Sequence, residues 1–124
     1  MKLAVIVLAD PNAVGNEATS RLLNALALAD EGRREGDTVE IAFSGAGTRW
    51  PYELMNPTHP AYGRYQDLRD LVVGVSRSCA IRNQAAAGAE AAGVAQIGDN
   101  HVAGTPGVLS LRRYYVDDWK VALF

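Results

Sequence analysis

The chain has 124 residues, of which 48% are apolar, with 12 Lys and Arg against 14 Asp and Glu and a single cysteine. This length supports one domain with its own hydrophobic core. The net charge of −2 argues against a protein that grips a phosphate backbone, and no stretch approaches the roughly 20 apolar residues of a membrane helix. One cysteine excludes an internal disulfide and a four-cysteine zinc site, so the expected compartment is a reducing cytoplasm.

The first third of the chain is typical of a strand, helix and strand unit. The unbroken apolar run Leu3–Ala9 predicts a central parallel strand that is covered on both faces. Asn16 is expected to cap an amphipathic helix that ends near residues 33–34, and Gly36 then takes the left-handed conformation. Thr38–Phe43 predicts the second strand. A unit of this kind favours a parallel sheet with helices on its faces.

The remainder is less regular, and its elements are predicted from short patterns. They are a loop at Ser44–Trp50, a helix at Ala61–Asp70, a strand at Leu71–Val75, an alanine-rich helix at Ala80–Ala92 closed by Gly93, a short strand at Val94–Ile97, a helix starting at Thr105-Pro106, and a strand at Trp119–Phe124. The alternation predicts a single-domain α/β fold with a mostly parallel sheet of about five strands.

Ligands of open α/β sheets bind where strands lead into helices, and one such place holds the lone cysteine. Cys79 is predicted to lie at or just before the N-terminus of the alanine-rich helix, with Arg77 and Arg82 beside it. Backbone N–H groups and cations there favour a thiolate, which is the nucleophilic form. The alternative is that Cys79 is a small buried hydrophobic residue.

A second candidate is the Ser44–Trp50 loop, whose glycines, hydroxyls and guanidinium could bind an anion. The loop lacks the lysine of a phosphate-binding loop and the third glycine of a dinucleotide fingerprint, so a plain turn is the alternative. His59 and His101 show no metal-ligand spacing and are interpreted as surface residues. The sequence therefore predicts no metal and no cofactor.

Several segments together resemble one family, the DsrE/DsrF-like proteins. They are the apolar first strand, Phe43–Trp50, the Pro-rich stretch through His59-Pro60, Gly74–Cys79, Ala92–Val94 and Trp119–Phe124. The loop with Gly45, Gly47, Thr48 and Trp50 is similar to the signature of a subgroup in which a Cys-x-x-Cys follows the third strand. Here Ser76 stands at the position of the first cysteine and Cys79 at the second.

The resemblance implies a flavodoxin-like three-layer sandwich, assembly into trimers or hexamers, and a role in intracellular sulfur transfer. Cys79 would carry sulfur as a persulfide between a donor and an acceptor protein, and Arg77 and Arg82 would stabilise its anion. Without a cysteine at Ser76, a cycle through an internal disulfide is impossible.

Two other interpretations stay open. In the first, the protein is a non-catalytic oligomer that holds a small anionic or aromatic ligand with one set of residues near the Cys79 helix start. That set is Gly45, Gly47, Thr48, Arg49, Trp50 and Ser76. In the second, it is a structural subunit whose aromatic side chains pack against neighbouring subunits.

Overall fold

The computed structural model describes all 124 residues and contains one sheet of five parallel strands flanked by six helices. The strands are β1 (Lys2–Val7), β2 (Thr38–Phe43), β3 (Val72–Ser76), β4 (Gln96–Ile97) and β5 (Lys120–Leu123). The helices are α1 (Glu17–Arg34), α2 (Trp50–Glu53), α3 (Tyr62–Leu68), α4 (Arg77–Arg82), α5 (Ala86–Ala91) and α6 (Arg112–Val116). The strand order is β4-β3-β2-β1-β5, which confirms the predicted flavodoxin-like three-layer sandwich.

β1 lies inside the sheet and contributes to both cores, as its unbroken apolar run predicts. Leu3, Val5 and Val7 face the larger core, which α1 to α5 cover. Ala4 and Ile6 face a smaller core on the opposite side. Successive side chains of a strand point to opposite faces, so a central strand needs apolar residues at every position.

The smaller core is covered by a different part of the chain. Leu109 and Tyr114 pack against Ala42 and β1 there, and the Tyr114 hydroxyl donates a 2.7 Å hydrogen bond to Glu40 on β2. Both covering residues come from the connection between β4 and β5. We call its irregular part, residues 98–111, the crossover segment.

α1 starts and ends where predicted, but the expected cap is wrong: Asn16 has helical backbone angles and its side chain makes no capping hydrogen bond. Asn16 precedes it, Glu17 lies in its first turn, and Arg33 and Arg34 lie in its last turn, where cations favour the negative end of the helix. Gly36 has a φ of +85°, the left-handed conformation predicted for the residue that closes the helix. The helix buries Leu22, Leu26 and neighbouring alanines.

The helix predicted at Ala80–Ala92 is wrong, because the segment forms two short helices, α4 and α5. Gln84 has a φ of +55°. The N–H of Ala85 donates to the carbonyl of Ala80, and the N–H of Gln84 donates to that of Ile81, the bonding pattern of a Schellman cap. Cys79 is therefore the third residue of a six-residue helix and does not precede a long one.

Two further predictions need correction. The predicted Ser44–Trp50 loop contains a 3₁₀ helix at Gly45–Arg49, followed by α2. No helix starts at Thr105-Pro106, because Gly104 and Gly107 both have positive φ, and the next helix begins only at Arg112.

The carboxyl ends of all five strands meet at one edge of the sheet, since the strands are parallel. Three loops leave this edge beside each other: the loop after β1, the 3₁₀ helix after β2, and α4 after β3. None of the helices is long and apolar enough to cross a bilayer.

Candidate functional site

The structure brings the two candidate segments together around the Cys79 thiol. The Cys79 Sγ lies 3.7 Å from the Ser44 Oγ, within reach of a hydrogen bond to sulfur. The Ser76 hydroxyl and the Gly45 N–H also act on the thiol, since both lower the pKa of Cys79. Cys79 is partly exposed and free. It therefore differs from the fully buried cysteine of the alternative interpretation.

The surroundings of the thiol favour its ionised form. Burial raises the pKa of the Cys79 thiol, while hydrogen bonds from Ser76, Gly45 and Ser44 and the positive charge of Arg82 lower it. The balance of these effects places the pKa below the ordinary value of the group. A thiolate is the form that attacks sulfur and carbon electrophiles, so the site is suited to a nucleophile at near-neutral pH.

The two arginines predicted to stabilise the thiolate have different positions. Arg82 is exposed, and its charge acts on the Cys79 thiol. The Arg77 guanidinium instead donates to the carbonyls of Gln96, at 3.2 Å, and Pro106, at 3.5 Å. Arg77 thus connects the start of α4 to β4 and the crossover segment, and the sequence held no signal for these carbonyl partners.

Ser76 lies at the base of the site and is fully buried. It directly precedes α4, and its side chain makes no capping hydrogen bond to that helix. The Ser76 Oγ also accepts a 3.0 Å hydrogen bond from the Leu109 N–H. A hydroxyl has one donor and two acceptor positions, so Ser76 can serve both neighbours at once.

The other loop residues predicted to bind a ligand are mostly engaged within the protein. Thr48 is buried and its hydroxyl donates to the Gly45 carbonyl at 2.8 Å. Trp50 is buried and its Nε1 donates to the Ala9 carbonyl at 2.8 Å. A Cβ on Gly47 would overlap the carbonyl of Val7. These contacts favour the turn interpretation for this part of the loop.

Arg49 forms a bridge on the other side of the same loop. Its guanidinium donates to both carboxylate oxygens of Asp10, each at 3.0 Å, and to the Asn83 carbonyl at 3.2 Å. A hydrogen bond from the Asn12 N–H holds the pKa of the Asp10 carboxyl below its ordinary value, and the Arg49 guanidinium also lowers it. Arg49 thereby ties the loops after β1 and β2 to the end of α4.

Beside this bridge lies a cavity of about 580 Å³ that sequence reasoning missed. Arg49, Tyr52 and Asn83 contribute polar groups to its wall. Gly88 packs against Tyr52 in the same wall, and a Cβ on Gly88 would lie 2.9 Å from the Tyr52 Cβ. The cavity needs the break between α4 and α5, which the alanine-rich pattern did not predict.

The histidines take no part in the site. The His59 Nδ1 accepts a hydrogen bond from the Ala61 N–H, and its ring packs edge-on against Trp50 at 5.8 Å. His101 is exposed in the crossover segment. No cluster of three or more metal-binding side chains is present.

Comparisons of the chain with protein-family models, curated proteins and solved structures gave no match. The resemblance to the DsrE/DsrF-like family stays a prediction.

Proposed function

We propose that the protein is a sulfur carrier, or a sulfurtransferase-like enzyme, that holds a persulfide on Cys79. The observation that carries this proposal is the partly exposed thiol, which is surrounded by the Ser44 and Ser76 hydroxyls and the Gly45 N–H. Each of these groups can donate a hydrogen bond to an anion on sulfur. The same donors would stabilise the anionic persulfide.

The reaction is an exchange at sulfur and needs no external oxidant or reductant. The Cys79 thiolate attacks the outer sulfur of a donor persulfide, R–S–SH. A bond forms between the Cys79 sulfur and that outer sulfur while the S–S bond of the donor breaks, which yields Cys79–S–SH and the thiolate R–S⁻. An acceptor thiolate then attacks the outer sulfur of Cys79–S–SH, and the Cys79 thiolate is regenerated.

The cysteine content limits the protein to this one-cysteine cycle. No second cysteine is available to release the sulfur by forming an internal disulfide. The acceptor must therefore bring its own thiol, and the proposal implies donor and acceptor proteins. A reducing cytoplasm suits this cycle because it keeps the resting thiol free.

Assembly of several copies is part of the proposal. Leu8 and Leu123 are 42% and 56% exposed and line, with Val14, one cavity of about 380 Å³ at the ends of β1 and β5. Exposed apolar side chains in one patch favour association, and a second copy of the chain is the occupant expected from the predicted trimer or hexamer. Light scattering that gives the mass of one chain would contradict this part of the proposal.

Sulfur loading tests the proposal directly. The protein is treated with inorganic polysulfide and its intact mass is measured before and after reduction. We expect a gain of one sulfur atom that the reductant removes, and no gain in Cys79→Ser. An unchanged mass in the wild-type protein, or an equal gain in Cys79→Ser, would overturn the proposal.

A second candidate function is supported by the cavity of about 580 Å³ beside Arg49. A pocket of this volume with a few polar groups is of the size that small-molecule sites have. In that case the protein binds a small anionic or aromatic ligand without using the thiol. Cys79→Ser would then keep its ligand, and Tyr52→Ala would lose it, in a calorimetric titration.

A further inference from the structure

The cavity of about 580 Å³ beside Arg49 has an apolar floor and an aromatic side. Its floor consists of residues without polar side chains, namely Ala85, Ala87, Gly88 and Ala91. Tyr52 lines the cavity from α2, packs against Gly88 and is 58% exposed, so part of its ring stays open. Small side chains beside an exposed aromatic ring suit a planar ring of a ligand.

Two polar groups of the cavity wall have no partner within the protein. Arg49 donates from Nε to the Asn83 carbonyl and from Nη1 to Asp10, while its Nη2 makes no hydrogen bond. Asn83 donates from Nδ2 to the Cys79 carbonyl at 2.8 Å, so its Oδ1 is the free end of the amide. A backbone carbonyl accepts only from the NH₂ group, which fixes this orientation. The wall thus offers an N–H donor and a carbonyl acceptor from two residues in contact.

The charges beside the cavity disfavour an anionic ligand. Both carboxylate oxygens of Asp10 accept from Arg49 at 3.0 Å, so the positive charge of Arg49 is already balanced. Glu53 adds a second carboxylate, and no other charged residue lines the cavity. A ligand carboxylate would therefore meet an excess of negative charge, whereas a neutral polar group would not.

We propose that this cavity binds a neutral planar aromatic carboxamide, or a heterocycle that carries the same amide group in its ring. The amide carbonyl accepts from the Arg49 Nη2, the amide N–H donates to the Asn83 Oδ1, and the ring lies on the floor beside Tyr52. An amide presents an acceptor and a donor side by side, as this wall requires. The inference rests on the second candidate function and narrows its ligand from anionic or aromatic to neutral and aromatic.

Nicotinamide and nicotinate are a matched pair of probes, because they share one ring and differ only in the amide or carboxylate that it carries. Each is titrated into isotope-labelled wild-type protein, and the backbone amide shifts are followed by NMR. We expect nicotinamide to bind about tenfold more tightly than nicotinate, with shifts centred on Asn83 and Gly88.

The titration separates failure of the inference from failure of the function on which it rests. Nicotinate binding at these residues as tightly as nicotinamide, or more tightly, would overturn the inference and leave the second candidate function in place. No shift from either compound up to its solubility limit would overturn both. Sulfur loading of Cys79 is measured independently of these results.

Variants of two exposed residues test the stacking and the charge separately. Tyr52→Ala should weaken nicotinamide binding about fivefold, and Tyr52→Phe, which keeps the ring, should restore it. Glu53→Gln removes the carboxylate and should tighten nicotinate more than nicotinamide. Glu31→Gln, the same change on the exposed face of α1, should alter neither affinity. Wild-type nicotinamide affinity in Tyr52→Ala, or an unchanged ratio of the two affinities in Glu53→Gln, would contradict the proposed binding mode.

Discussion

At the scale of single residues, polar groups from two parts of the chain lower the pKa of the Cys79 thiol, namely Ser76 on one side and Gly45 and Ser44 on the other. Two of them, Ser44 and Gly45, belong to the loop whose glycines and hydroxyls predict an anion site, and Ser76 stands where the family resemblance places a cysteine. Their convergence on one sulfur could not be predicted from the sequence. It requires that β2 and β3 be neighbours in the sheet and that α4 start immediately after β3.

Arg82 supplies a charge to this site that can be removed without changing the hydrogen bonds. We predict that Arg82→Gln raises the pKa of the Cys79 thiol, so that the alkylation profile moves to higher pH. Because Arg82 is exposed, the effect should shrink as salt is added. Arg64→Gln removes the same charge from α3 and should leave the profile unchanged. A larger shift in Arg64→Gln than in Arg82→Gln would contradict the assignment.

Tyr65 is a second residue whose ionisation the fold controls. It is 2% exposed, its hydroxyl has no hydrogen-bond partner, and burial raises the pKa of Tyr65 to about 12. A raised folded pKa means that stability is full below the unfolded value near 10 and falls as the pH rises from there toward 12. The shift corresponds to roughly 3 kcal/mol of unfolding free energy lost over this range.

The variant that tests this effect is Tyr65→Phe, which keeps the ring and removes the hydroxyl that has no hydrogen-bond partner. We predict that it is as stable as the wild type at pH 7, or more stable by up to about 1 kcal/mol, and that it loses less stability at alkaline pH. Urea unfolding at several pH values measures both effects. A loss of more than 1 kcal/mol at pH 7 would show that the hydroxyl is needed in the fold.

At the scale of elements, the strands and α1 were predictable because their patterns are unbroken and their ends carry ordinary signals. The break between α4 and α5 was not, because the alanine-rich sequence favours helix throughout and the left-handed residue that ends α4 is Gln84 rather than a glycine. The cavity beside Arg49 depends on that break. The candidate ligand pocket was therefore missed for the same reason.

The 3₁₀ helix at Gly45–Arg49 is fixed to β1 by a close backbone approach at Gly47. A Cβ at Gly47 would overlap the Val7 carbonyl, so we predict that Gly47→Ala lowers the free energy of unfolding by about 3 kcal/mol. Gly63→Ala, on the exposed face of α3 with nothing within 4 Å of the new Cβ, should instead raise it by up to about 1 kcal/mol. Equal effects of the two variants would contradict the close approach.

At the scale of the whole molecule, the two sides of the sheet are covered unequally. Five helices cover the larger core, whereas the smaller core is covered by the crossover segment and α6. The alternating pattern of strands and helices predicted that helices cover the larger core. The cover of the smaller core could not be predicted, because the crossover segment has no periodic apolar pattern. It is held by hydrogen bonds instead: the Leu109 N–H donates to the Ser76 Oγ, and the Ser78 Oγ donates to the Gly107 carbonyl.

Because the crossover segment covers the smaller core, this irregular segment lies against the start of α4, the helix that carries Cys79. The Leu109 N–H of the segment donates to the Ser76 Oγ, and Ser76 directly precedes the helix that carries Cys79. The remaining donors come from the loop at the carboxyl edge of β2. The groups that lower the pKa of the Cys79 thiol thus belong to parts of the chain that meet only when the sheet is assembled.

The proposed function requires that folding lowers the pKa of the Cys79 thiol, which is tested by comparing Cys79 alkylation against pH in the native and the urea-unfolded chain. Ser44, Gly45, Ser76 and Arg82 act on the sulfur only in the native state, so we predict that the native profile rises at lower pH than the unfolded one. A native profile at or above the unfolded one, or alkylation that occurs only after unfolding, would contradict the account.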